Sequence, residues 1–483
     1  MVFSSIIFLF LFLPLALAFY FLTVKKYRNL FLLFASLIFY AWGEGFYLLI
    51  LLISIFINYS CGLLIDNHRS SNRSGVYLIV AIVLNLGILA FFKYANFVVT
   101  NLNSILPVFG IGPLYLTRIH LPIGISFFTF QALSYVVDVY NQKILAQRNI
   151  INLSAYISLF PQLMAGPIVR YAHIAKEIVS RTTSRTDFSE GVRQFLFGLG
   201  KKMLIANPVA GVADQVFFLP AGELTTGLAW LGAICYTLQI YFDFSGYSDM
   251  AIGLARMFGF HYLENFNYPY ISRSIREFWR RWHISLSTWF KDYLYIPLGG
   301  NHRGSLRTYM NLVIVFLLCG LWHGASWNFV IWGLFHGLFL AIERTFLGRG
   351  LNALPQPFRH IYTLLIVMVG WVIFRTESMA QGISYLSAMS GFAHGAGVKY
   401  NVAMFLSDKL KLEIGMGIIL SAPVYPLIKR MEVSILETRP VKLKASLNVV
   451  FSLVGFVLLS IIVYASVINL AASAYNAFIY SRF

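Results

Sequence analysis

The run Gly320-Leu321-Trp322-His323-Gly324-Ala325-Ser326-Trp327, continued by Trp332-Gly333-Leu334-Phe335-His336-Gly337 as far as Glu343-Arg344, is apolar enough to cross a bilayer, yet it holds two histidines. An ionisable side chain at membrane depth costs a few kcal/mol on insertion scales unless it is solvated or partnered, so residues kept there mark functional positions. Gly320 with Gly324, and Gly333 with Gly337, form two small-xxx-small pairs that let a second helix approach closely. Read as one continuous helix from Leu312 to Ile342, the segment sets His323 and His336 about 220° apart around the axis and about 20 Å apart along it. On that geometry they face different ways and cannot share a metal ion.

Working outward, the 483 residues are 58% hydrophobic and 12% charged, with a mean hydropathy of +0.72. Apolar content of a soluble domain is about 45–50%, so the composition specifies an all-α, polytopic transmembrane helical bundle of about 10–12 spans. The 37 Lys and Arg against 19 Asp and Glu give a net charge of +18. In a multi-pass chain that excess belongs on cytoplasmic loops facing anionic lipid. Nucleic acid is not implied, because the basic residues are scattered between apolar spans. Cys61, Cys235 and Cys319 lie far apart in apolar surroundings and read as small core residues. Met1–Val24 lacks a basic n-region, stays apolar past Ala16-Leu17-Ala18 and ends in Lys25-Lys26-Tyr27-Arg28. It reads as a retained span with its N-terminus outside and its basic end in the cytoplasm.

Three regions are expected: N-terminal spans over 1–105, a core carrying the motifs over 106–345, and C-terminal spans over 346–483. Apolar spans fall at Phe3–Val24, Leu30–Tyr40, Tyr47–Ile65 and Val76–Phe92, the second too short to cross upright. Leu121-Pro122-Ile123-Gly124 before an apolar run to Tyr140, and Phe160–Pro167, predict broken or re-entrant helices, which survive at membrane depth only under protein or around a water-filled cavity. Further spans are expected over Phe195–Pro220, Leu228–Phe260, Ile361–Phe374, Leu412–Leu427 and Leu447–Leu470. There is no internal repeat of the kind that marks many transporters.

His323 lies between Trp322 and Gly324, and a neutral imidazole can take a proton from a hydroxyl or thiol near neutral pH. The residues alone leave open the alternative of a packed histidine bonded to a backbone carbonyl, and for His336 that alternative is favoured. His283 lies in Arg280-Arg281-Trp282-His283, which reads either as an interfacial helix with snorkelling arginines or as a vestibule in which Arg276, Arg280, Arg281 and Lys291 bind phosphates. Asp243 and Asp249, in Tyr241–Asp249, suit a proton relay, a metal pair or partners for buried arginines. No His or Cys completes a ligand set near them, so no metal is expected. GxSxG, P-loop and HExxH motifs are absent.

Five motifs in order, Tyr241–Asp249 (YFDFSGYSD), Asn265–Tyr270 (NFNYPY), Phe278–Ser287 (FWRRWHISLS), Asp292–Gly300 (DYLYIPLGG) and Leu321–Gly337 (LWHGASWNFVIWGLFHG), resemble the membrane-bound O-acyltransferase family. Within it they are most similar to the membrane subunits of bacterial alginate O-acetyltransferases. The resemblance implies helices packed around a central tunnel, with His323 at the family's near-invariant histidine and His283 at its second polar position. His336, Asp243, Asp249 and Trp322 become supporting residues. It further implies a multi-pass protein of the inner (cytoplasmic) membrane that moves acetyl groups from cytoplasmic acetyl-CoA, as substrate, to an extracytoplasmic polysaccharide such as alginate. Membrane lipid surrounds it, and a periplasmic acetyltransferase or esterase-like protein is the implied partner. The other expectations are a lipid-directed acyltransferase, or a transport or export component using His323, Asp243 and Asp249 as a proton path.

Overall fold

The computed structural model describes residues 1–393 and 395–472, so the last part of the expected C-terminal region, 473–483, lies outside it. All regular elements among the described residues are helical. A short π-helix, Phe8–Phe12, runs into α1 (Leu13–Leu22). This segment packs into the core: Phe3 stacks on Tyr247 with ring centroids 4.6 Å apart, and the Tyr20 hydroxyl donates to the Phe258 carbonyl at 2.7 Å. The short span expected at Leu30–Tyr40 is longer at both ends, forming α2 (Arg28–Glu44). Gly45 (φ +50°) turns the chain into α3 (Leu48–Asn67). The 33-residue α4 (Arg73–Ile105) follows, about 50 Å long at 1.5 Å per residue. Between α3 and α4, the carboxamides of Asn58 and Asn85 exchange hydrogen bonds of 3.0 Å in both directions, which satisfies two polar groups buried in an apolar contact.

The two predicted interruptions are present. After an irregular stretch from Gly110, α5 (Ile125–Tyr140) starts at Gly124, whose φ is +79° and where a Cβ would sit 2.4 Å from the Leu163 carbonyl oxygen. Only glycine fits both demands. The chain then forms α6 (Ile150–Ser158), α7 (Phe160–Leu163) and α8 (Tyr171–Val179). Nine residues reach about 14 Å, half the hydrocarbon thickness, so neither α6 nor α8 is long enough to cross alone. Asn29 ties the start of α6 to the end of α8: its amide donates to Asn152 Oδ1 and to the Ile178 carbonyl, both at 2.7 Å.

A long helical run comprises α9 (Arg185–Gly200), a π-helical turn Lys201–Ala206 and α10 (Asn207–Phe217), and it packs along α11 (Thr226–Met257). Two glycine pairs set this contact. A Cβ on Gly198 would lie 2.5 Å from the Gly246 carbonyl oxygen, and one on Gly253 would lie 2.5 Å from that of Gly191. The π-turn brings consecutive lysines to α11, with Lys201 Nζ 2.6 Å from Asp249 and Lys202 Nζ 2.5 Å from Asp243.

Beyond α12 (Ile275–Arg281) and α13 (Ile284–Phe290), the segment that opened the sequence departs from the one-helix expectation. It is a hairpin of α14 (Ser305–His323) and α15 (Trp327–Ile342), broken where Gly324 (φ −167°, ψ 158°) and Ser326 (φ −149°, ψ 158°) are extended. The small-residue pairs explain the return. A Cβ on Gly320 would lie 2.1 Å from the Phe329 carbonyl oxygen and one on Gly333 2.2 Å from that of Phe316, so the backbones touch. His323 and His336 therefore converge: their rings stand 5.0 and 5.1 Å from the ring of Trp332. The expected 220° separation is overturned by this break.

The remainder consists of α16 (Phe346–Ala353), α17 (Gln356–Arg375), α18 (Met379–Met389), α19 (Val402–Phe405), α20 (Asp408–Leu420), α21 (Val424–Glu437) and α22 (Val441–Ala472). Among the described residues five helices are long and apolar enough to cross a membrane, or up to seven if each bent pair counts as one span. One bent pair, α20 with α21, breaks by 61° inside the span expected at Leu412–Leu427. Apolar side chains such as Phe10, Phe34, Phe56, Phe91 and Phe456 are exposed on the outer helices. In a soluble protein such a surface would be a liability; facing lipid it is matched to its solvent.

Candidate active site

The segment between α11 and α13 folds back on itself through two backbone hydrogen bonds, Asn267 N to Arg281 O and Ile284 N to Asn265 O, both 2.9 Å. Ser274 caps α12 by accepting from Glu277 N at 3.0 Å. The Glu343 carboxylate, at the end of α15, accepts from Ile275 N at 2.7 Å and Arg276 N at 3.1 Å. A carboxylate at a helix N-terminus satisfies otherwise orphaned donors and the helix dipole together. At the crossing point sits His283, fully buried and with φ +42°. A non-glycine residue in that region stores on the order of 1 kcal/mol or more of strain, a pattern that clusters at functional sites.

The protonation of His283 follows from its neighbours. Asn265 Oδ1 accepts from the Ser285 backbone N–H at 3.0 Å and from the Ser285 hydroxyl at 2.9 Å. A backbone N–H can only donate, so the oxygen of this carboxamide, not its nitrogen, must face it. That same oxygen lies 3.2 Å from His283 Nδ1. Nδ1 therefore carries the proton and Nε2 carries the lone pair. Nε2 has no hydrogen-bond partner among the described residues. A buried imidazole held in one tautomer, with its basic nitrogen uncommitted, is what a general base requires.

Aromatic rings join this imidazole to His323. Phe244 of α11 stands edge-on to His283 with centroids 4.6 Å apart, and Trp322 lies 6.2 Å from His283 and 5.0 Å from His323. Trp332 and Phe374 complete the wall around His323 at 5.0 and 5.3 Å. His336 is one ring further on, packed by Trp279 and Trp332 at 5.2 and 5.1 Å. A Cβ on Gly370 would stand 2.7 Å from His336 Nε2. The structure thus brings His283, Trp322 and His323 together with His336 behind them.

A cleft of about 260 Å³ approaches this centre between α8 and α13, lined by Arg170, His173, His261, Glu264, Ser285 and Asp292 among others. Its wall includes Ser285, whose hydroxyl is 3.5 Å from His283 Nδ1. Arg170 and Asp292 form an ion pair of 2.6 Å at the lining. Of the cations expected to bind phosphate, Arg276, Arg280 and Lys291 are exposed, and Arg281 is engaged by Glu277 at 2.9 Å. None of the four lines the cleft, although Lys291 adjoins Asp292, which does. Asp243 and Asp249 are partnered by lysines rather than by the arginines considered from sequence. Asn265 and Ser285 were inside the quoted motifs but carried no signal of their own role. Asparagine and serine are common turn residues, and only the fold reveals the shared oxygen.

Residues 125–379 match the family model described as the membrane-bound O-acyltransferase family. The chain belongs to that family and is a membrane-embedded O-acyltransferase. Among its relatives it is 50% identical over 396 residues to the probable alginate O-acetylase AlgI of Pseudomonas aeruginosa, covering 81% of this chain and 75% of that one. It is 35% identical over 428 residues to the peptidoglycan O-acetyltransferase of Helicobacter pylori, covering 81% and 80%. The teichoic acid D-alanyltransferase of Bacillus subtilis is 28% identical over 239 residues, covering 46% and 59%.

Two measurements check this geometry. Replacing Asn265 by Leu removes the acceptor that fixes the His283 tautomer, and acyl transfer is expected to fall by on the order of 10²-fold in correctly inserted protein. Wild-type turnover in that variant would contradict the tautomer assignment. At the cleft rim, burial lowers the proton affinity of His261, but hydrogen bonds and charges from Glu177 and Asp187 outweigh it and hold the imidazole above its ordinary value. The Ser184 hydroxyl, followed by His261, depresses the Asp187 carboxyl to about 2. The stabilisation from His261 is therefore complete below about pH 6.5 and is lost as pH rises through its elevated value. That from Asp187 is lost only as pH falls through about 2. The difference in Tm between wild type and His261→Asn should be constant from about pH 5 to 6 and shrink towards pH 9. A difference that grows with pH would show the sign to be wrong.

Proposed function

We propose that this protein is a membrane O-acetyltransferase that carries acetyl groups from cytoplasmic acetyl-CoA to hydroxyls of an extracytoplasmic polysaccharide, alginate or a similar exopolysaccharide. The observation that carries the reading is the pairing of two buried histidines, one with a defined basic nitrogen, behind a cleft whose wall includes Ser285. The names of the relatives, probable alginate O-acetylase and peptidoglycan O-acetyltransferase, support acetyl as the group and a polymer hydroxyl as the acceptor. The chemistry is thioester to ester exchange. The acceptor oxygen attacks the acetyl carbonyl, a C–O bond forms, the C–S bond breaks, and the hydroxyl proton passes through imidazole to the departing thiolate.

His323 is the proposed base or acyl relay and His283 its assistant, fixed by Asn265. The cleft between α8 and α13 is the proposed donor entry. Its largely apolar wall, with Arg170, Ser285 and Asp292 as polar points, suits the pantetheine arm, and Lys291, Arg276 and Arg280, exposed nearby in sequence, offer cations for the CoA phosphates. The inner membrane and a periplasmic acetyltransferase or esterase-like partner for final delivery belong to the same proposal. Both rest on the family resemblance.

The test is consumption of labelled acetyl-CoA by purified protein. His323→Ala should reduce transfer by about 10²–10⁴-fold, the range supplied by a positioned base, while leaving insertion intact. A normally inserted His323→Ala protein that still transfers would sink the assignment. Label reaching a soluble polysaccharide from the purified protein alone would assign direct transfer and remove the partner from the scheme.

A further inference from the structure

Three consecutive carbonyls end α14 beside the site: those of Leu321, Trp322 and His323. The extended backbone at Gly324 leaves them without the next turn that would have satisfied them. They are satisfied instead by two consecutive side chains of α4, a helix that precedes the residues matched by the family model. The Tyr94 hydroxyl donates to Leu321 O at 2.6 Å. Lys93 Nζ donates to Trp322 O, and to His323 O at 3.3 Å. The same amine is 3.2 Å from Ser126 Oγ on α5.

Lys93 is buried, and no carboxylate lies within ion-pair distance of it among the described residues. A lysine placed in an apolar interior without a counter-ion is costly, and an apolar residue would fill the volume more cheaply. Its partners are the backbone atoms that carry His323 and Trp322, and its amine lies 5.8 Å from the Trp322 ring. A cation at the C-terminal end of a helix is also favoured by the helix dipole.

We propose that Lys93 is a positioning residue for acyl transfer, holding the backbone of Trp322 and His323 so that the His323 imidazole meets the acyl group in one orientation, with Tyr94 completing the clamp. This rests on His323 as the reacting histidine. Misplacing a catalytic group lowers turnover without weakening substrate binding to the same degree, which separates positioning from simple loss of fold.

The experiment compares Lys93→Met, Lys93→Gln, Tyr94→Phe and His323→Ala in the full-length protein purified in detergent, scoring inserted monodisperse protein, kcat and the acetyl-CoA KM. Met and Gln have side chains of equal length, and only Gln retains donors. Lys93→Met is expected to lose at least about tenfold in kcat with KM within about twofold, with Lys93→Gln between it and wild type and Tyr94→Phe mildest. Wild-type kcat in Lys93→Met while His323→Ala is inactive overturns the proposal and leaves the site standing. Equal losses in Met and Gln with KM rising in step also overturn it, assigning Lys93 to folding. Should Lys93→Met fail to insert, wild-type kcat in both Lys93→Gln and Tyr94→Phe overturns it. Activity surviving in His323→Ala would strike the site reading itself.

Discussion

One oxygen atom, Oδ1 of Asn265, organises the buried polar centre around His283. It receives the Ser285 backbone N–H, the Ser285 hydroxyl and the His283 ring within 3.2 Å. The first of these fixes which end of the carboxamide faces inward, and the third thereby fixes the imidazole tautomer. In a water-filled site such an arrangement would be one of several in exchange. Here His283 and Asn265 are both buried, so each unmade hydrogen bond would cost the full desolvation of its group. The left-handed backbone at His283 and the two backbone bonds joining 265–267 to 281–284 hold that arrangement against its own strain.

The surrounding fold follows the same rule that polar groups buried in a membrane protein need partners. Asn58 and Asn85 satisfy each other, Lys201 and Lys202 neutralise Asp249 and Asp243, and Glu343 caps α12. These pairings distinguish structural polar residues from the site. His283 keeps Nε2 open among the described residues, whereas the two aspartates that resembled a proton path are held by lysines on the neighbouring helix. Close helix contact does the rest, through glycines whose Cβ positions would strike a facing carbonyl at Gly198, Gly246, Gly320 and Gly333.

Much of this was legible in the sequence. Composition specified a helical membrane protein, and Pro122-Ile123-Gly124 and the Phe160–Pro167 stretch announced the interrupted helices, because proline lacks the N–H that a helical ladder needs and glycine weakens it. The family resemblance pointed to His323 and His283, whereas the residues alone left the first open and favoured an interfacial reading of the second. The α14–α15 hairpin was not legible. Ala325 and Ser326 are compatible with a helix, and an unbroken apolar run carries no period that marks a return. The glycine pairs were read as contacts for another helix, and the helix they contact is the other half of the same segment. Asn265, Ser285 and Lys93 were equally silent, since their roles depend on atoms tens or hundreds of residues away in sequence.

The claim that ties these parts together is that the two histidines form one centre reached through the cleft between α8 and α13. An experimental structure with a non-hydrolysable acetyl-CoA analogue tests it most directly. The acyl carbon is expected beside His283 and His323, with the pantetheine arm passing Ser285 and Arg170. An analogue bound with its acyl group remote from both imidazoles, or entering along a path that bypasses that cleft, would contradict it.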